Sequence, residues 1–180
     1  MLKTKLMKTL LSATILAAFA APMAVSAQAP TAGMNTPAAS ALNKADQKIV
    51  MDMARANMAE VEAGKMAVSK SQNAEVKAYA QRMIDDHTKA LNDVTTLAQT
   101  KGVTLPTEVD AKHKAMAAKL GKLEGDAFDR EYMKQAGVDD HTKMRAKLKK
   151  DAERAKDADV KALASKLMPT VEQHLTSAKA

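Results

Sequence analysis

Cysteine and tryptophan are both absent from the 180 residues. Without cysteine there are no disulfides and no thiolate metal sites, so any transition-metal site must be built from nitrogen, oxygen or thioether donors. Aromatics are nearly absent as well, with two tyrosines and two phenylalanines in the chain. That scarcity argues against a nucleic-acid surface of interleaved basic and aromatic residues. No glycine-rich phosphate loop and no serine nucleophile motif occurs. With no catalytic constellation to recognise, the residues read as a non-enzymatic protein.

Long apolar runs are also missing, except near the start. Lys3, Lys5 and Lys8 precede an apolar stretch from Leu10 to Ala21, and Val25-Ser26-Ala27 fits a small-x-small cleavage site. The pattern predicts a secretory signal peptide over residues 1–27. A run of about a dozen residues is too short to span roughly 30 Å of hydrocarbon, so no transmembrane segment is expected after cleavage. Export to the periplasm, or association with the outer membrane, is the expected location, and a non-enzymatic role in envelope homeostasis or stress tolerance is the expected function. Losing three lysines takes the net charge from +7 to +4. The remaining charges are interspersed, as on an ordinary solvated surface.

What is present is alanine, leucine, valine and methionine at helical spacing. Residues 28–44 carry Pro30 and Pro37 without an apolar period and read as a flexible tether. A first helix is expected from about Lys44 to Ser71, with Ile49, Met53, Ala56, Glu60, Ala63 and Ala67 on one face. A second starts after Asn73 and ends near Gly102, with His87 at the centre of its apolar stripe. A short extra helix should open near a Thr107–Asp110 capping box and stop around Gly121–Gly125. Asp126 is expected to cap a third long helix reaching about Ala155. In it, Phe128 and Tyr132 share one face while His141, Met144 and Leu148 share another. A slip near Gly137, such as a π-bulge, would reconcile the two. Asp157 should cap the fourth helix, which carries His174 after a kink at Pro169. Two helical pairs make an all-α, up-down-up-down four-helix bundle.

Asp-Asp-His-Thr occurs twice, at Asp85–Thr88 and Asp139–Thr142, and His174 lies in a comparable helical context. At 1.5 Å per residue, Glu60 and His87 fall at similar heights in the first pair, and His141 and His174 in the second. Glu60, His87, His141 and His174 could together hold a divalent metal such as Zn, Fe, Mn or Cu. Asp86 and Asp140 could orient the histidines. A metal-free hydrogen-bonded network of the same groups is the favoured reading, and a metal sequestration or redox protein is the alternative. Di-iron bundles need Glu-x-x-His on two helices, whereas Ile84, Val138 and Val171 precede these histidines by three. His113 has no matching context and should be a partly exposed helix residue. Most of the methionines fall at core spacing.

Five ordered blocks carry a family resemblance: Glu60-Val-Glu-Ala-Gly-Lys-Met-Ala67, Val76-Lys-Ala-Tyr-Ala-Gln-Arg-Met-Ile-Asp-Asp-His87, Phe128-Asp-Arg-Glu-Tyr132, Gly137-Val-Asp-Asp-His141 and Met168-Pro-Thr-Val-Glu-Gln-His-Leu175. Over residues 45–178 the chain resembles the ferritin-like family called domain of unknown function 4142. The resemblance implies a ferritin-like bundle in the exported fraction, with no established catalytic activity. Its recurring polar residues match Glu60, Glu62, His87, Tyr132, His141 and His174. By helical count Glu62 points away from the Glu60 stripe.

Overall fold

The computed structural model describes residues 41–180. The expected signal peptide and all but the last residues of the expected tether lie outside them. Six α-helices and one π-helical segment account for the regular structure of the described residues: α1 (Lys44–Lys70), α2 (Ala74–Lys101), α3 (Ala111–Gly121), α4 (Gly125–Tyr132), the π segment (Met133–Asp140), α5 (His141–Arg154) and α6 (Ala158–Lys179). Backbone dihedrals stay helical through both junctions of the π segment, so α4, π and α5 form one long helix. With α1, α2 and α6 it makes the four-helix bundle, and α3 is the extra short helix.

Short polar residues start the helices by supplying acceptors for otherwise unpaired backbone N–H groups. Asn43 accepts from Ala45 and Asp46, Asn73 from Glu75 and Val76, and Asp157 from Asp159 and Val160. Gly102, at φ +67°, ends α2 in the left-handed region that suits glycine. Two expected caps differ. Asp110 itself caps α3 by accepting from His113 N–H, in place of a box opened by Thr107. At α4 the capping position is Glu124, with no side-chain bond, and Asp126 sits inside the first turn. A turn at Gly125 with φ +52° moves the start two residues earlier. Leu42, too isolated to show a period, is nonetheless buried in the core.

The order of helix directions corrects the up-down-up-down expectation. Lys70, at the end of α1, bonds Glu124 at 2.6 Å and lies 5.8 Å from the Phe128 ring centroid. Asp46, at the start of α1, accepts from the N–H groups of Lys156 and Asp157, the connection after α5. Lys101, at the end of α2, pairs with Asp157 at 2.8 Å. The third long helix therefore runs parallel to α2, and the order is up-down-down-up. The 102–124 connection travels back along the bundle, with α3 packed on α1 and α4. One long crossover of this kind belongs to ferritin-like bundles.

The apolar core is split in two. Val50, Met53, Val94, Leu148, Leu163 and Val171 belong to one cluster, and Ala63, Val76, Met83, Phe128 and Tyr132 to the other. Along α2, His87 falls between Met83 of the second cluster and Ala90 of the first. A polar layer thus separates two apolar halves. Between α1 and α2 the backbones come close: a Cβ on Gly64 would lie 2.9 Å from Ile84 Cγ1 and 3.0 Å from the Ala80 carbonyl.

Candidate metal centre

Each long helix contributes to the polar layer. Asn57 and Glu60 come from α1, His87 from α2, His141 from the π-to-α5 junction and His174 from α6; all are buried. The π segment is what turns His141 inward. A widened turn shifts the register between Phe128 and Leu148, so both Tyr132 and His141 are fully buried. This is the slip that the mismatched stripes of the third helix require.

Three hydrogen bonds determine the tautomers. Asn57 Nδ2 donates to the Met53 carbonyl at 2.8 Å, which leaves Asn57 Oδ1 as an acceptor, and His87 Nδ1–H donates to it at 2.9 Å. His141 Nδ1–H donates to the Ala136 carbonyl at 2.7 Å. His174 Nε2–H donates to Asp86 Oδ2 at 2.8 Å. In the neutral rings the lone pairs then reside on His87 Nε2, His141 Nε2 and His174 Nδ1. These three atoms face one another. His87 Nε2 is 3.3 Å from His141 Nε2, which is 3.2 Å from His174 Nδ1. The ligand atoms of the trio all lie within 4.8 Å of one another.

Electrostatics disfavours filling this space with protons. Burial, with the neighbouring imidazoles, holds His87 well below the ordinary histidine value of 6.5. Burial holds His141 at about 4, although the Ala136 carbonyl works in the opposite direction. His174 is lowered by burial despite its bond to Asp86. The rings are neutral at pH 7, with lone pairs converging.

The other sequence candidates are distributed around the trio. Glu60 Oε1 lies 4.0 Å from His141 Nδ1, the nitrogen directed away from the cluster, and Glu60 Oε2 has no hydrogen-bond partner. Burial first, then the charge of Asp140, raises the Glu60 carboxyl well above its ordinary range. Glu60 is therefore behind His141 and outside the trio. Asp86 orients His174 from another helix, and not His87 beside it in sequence. Asp140 faces Lys112 at 3.2 Å and Lys143 at 3.7 Å, away from the trio. Tyr132 packs edge-on to Tyr79, with centroids 6.3 Å apart, and stacks on Phe128. Glu62 is exposed, and His113 pairs with Asp110 at 2.9 Å.

Sequence reasoning missed Asn57. The α1 spacing puts Ala56 on the inward stripe, whereas Asn57 is the buried residue and Ala56 is half-buried. Its one available signal was an amide three residues before Glu60 on the same face. The Ala136 carbonyl carries no side-chain signal at all.

A family model described as Domain of unknown function (DUF4142) matches residues 31–180. The chain belongs to this family. Among curated proteins none matches the sequence. Two solved structures share the fold. A crystal structure of a DUF305 fragment from Deinococcus radiodurans aligns at TM-score 0.68 and 14% identity, over 77% of this chain and 95% of that one. CopM in the Cu(II)-bound form aligns at 0.62 and 18% identity, over 74% and 93%. At these identities the likeness concerns the fold. Within this DUF4142 chain, no helix of the described residues is long and apolar enough to cross a membrane.

Proposed function

We propose that this domain binds one divalent transition-metal ion through His87, His141 and His174. One observation carries the reading: three buried imidazoles have their outer N–H groups committed to Asn57, Ala136 and Asp86, and their lone pairs converge. Two nitrogens about 2.0–2.1 Å from a tetrahedral ion lie roughly 3.3–3.4 Å apart, close to the 3.2 and 3.3 Å separations here. Outer-shell acceptors of this kind orient ligating imidazoles and raise their basicity. A proton network needs one of the rings to be cationic, which burial opposes.

Neutral imidazoles suit Cu(II), Zn(II), Ni(II) and Fe(II). Copper is the first to test, because a fold neighbour is solved in a Cu(II)-bound form. The role is sequestration or buffering of the ion in the cell envelope. The leader pattern of residues 1–27 supports a periplasmic or outer-membrane-associated location, and fractionation with N-terminal sequencing of the mature protein checks it. Metal analysis of the purified protein tests the binding itself. One equivalent is expected, lost in His87→Ala and His141→Ala. Substoichiometric metal that survives both substitutions refutes the site.

A further inference from the structure

Three imidazoles fill three coordination positions, and the nearby oxygen donors face elsewhere. Asp86 Oδ2 is on the outer nitrogen of His174, Glu60 Oε1 is near the outer nitrogen of His141, and Asn57 Oδ1 is on the outer nitrogen of His87. Among the described histidine and carboxylate side chains, only the three imidazoles gather as a ligand set. A four-coordinate ion held this way needs its fourth donor from another source.

A cavity of about 130 Å³ reaches the trio at one member, His87. His87, Met53, Ala90, Leu167 and Val171 are among its lining residues. His87 is also the one ring of the three with any exposure, 3% against 0% for the others. The space exceeds what one water needs, about 10–15 Å³. Around the cavity Lys147 pairs with Asp151 at 2.8 Å and with Asp52 at 3.4 Å, and Lys166 pairs with Asp93 at 2.8 Å. Apolar walls beside these pairs favour a small ligand over a bulky ionic one, because desolvating the latter is costly; Lys89, exposed at the rim, adds one positive charge.

We infer that the bound metal keeps its fourth position open to this cavity and takes there a small exogenous donor of the azide or hydroperoxide class. The inference rests on the three-histidine reading above. Thioethers are the competing donors, since Met53 and Met144 line the same cavity.

The test is an azide titration of the Cu(II)-loaded full-length protein, with copper stoichiometry measured on every sample. A saturable azide-to-Cu(II) charge-transfer band is expected. Ala90→Leu and Ala56→Leu place bulk in the cavity from different helices, so either one that folds serves. Each should weaken azide at least tenfold while copper stays at one equivalent. Met53→Leu with Met144→Leu should leave azide binding intact. Copper bound without an azide band overturns the inference, as does a band that appears only once the methionines are replaced. Azide affinity equal to that of the unsubstituted protein in the filled variants overturns it too. Absence of copper in the unsubstituted protein removes the three-histidine reading itself, a result that the stoichiometry distinguishes from the others.

Discussion

Metal-free protein should lose stability between pH 7 and pH 5, before most carboxylates titrate. His141 is held at about 4 in the folded chain, against 6.5 ordinarily. Between those values the unfolded chain binds the proton and the folded chain does not, so stability falls as pH falls through this window and levels off below it. For His141 alone the loss between pH 7 and pH 5 is about 2 kcal/mol. His87 and His174 shift in the same direction and add to it. Glu60 works in reverse: its raised folded pKa means acid protonates it more readily in the folded state, which stabilises. Glu60→Gln removes this opposing contribution and is the background in which to measure. Urea unfolding of chelator-treated Glu60→Gln at the two pH values should show a midpoint about 1 M lower at pH 5. An unchanged midpoint would mean that the rings are not buried neutral, and the lone-pair argument for a metal would fall with it. Glu60→Gln should also stabilise the metal-free protein at pH 7, because it removes a buried carboxyl lacking a cationic partner.

Three further outcomes are expected. Asp86→Ala and Asn57→Ala each remove a bond that orients a ligating ring, and should weaken metal affinity about 10–100-fold with helicity unchanged, as read by competition with a chromophoric chelator. Deleting exposed Lys134 removes the residue that the widened turn absorbs, so a regular α-helix keeps Tyr132 and His141 on one side; circular dichroism should stay helical and metal stoichiometry should stay near one equivalent. Gly64→Ala should destabilise by about 1–2 kcal/mol in thermal or urea melts, since contact with the rigid Ala80 carbonyl outweighs alanine's better helix propensity.

Helix positions and the polar residue on each long helix were legible because they follow from the local 3.6-residue period, and most caps because Asn, Asp and Gly each have a local reason to sit at a helix end. The stripe of α2 from Val76 to Ala98 is buried as its spacing predicts. The slip near Gly137 was legible as well, since Phe128 and His141 cannot share a face at ideal pitch. On α1 the same reasoning missed by one residue. Alanine-rich helices mark their buried face weakly, and Ala56 carries no more signal than Asn57.

Local periodicity by itself determined an all-helical bundle with inward histidines. Tertiary structure alone decided their chemistry. Which way the third long helix runs depends on where the 102–124 connection crosses, and no spacing within a helix reports that. Asp86 was free to serve His87 or face water until α6 brought His174 to it. A tautomer is likewise set by its partner on another element, Asn57 from α1 in the case of His87. The lone pairs converge because four helices meet at one height, a property of packing that no single segment contains.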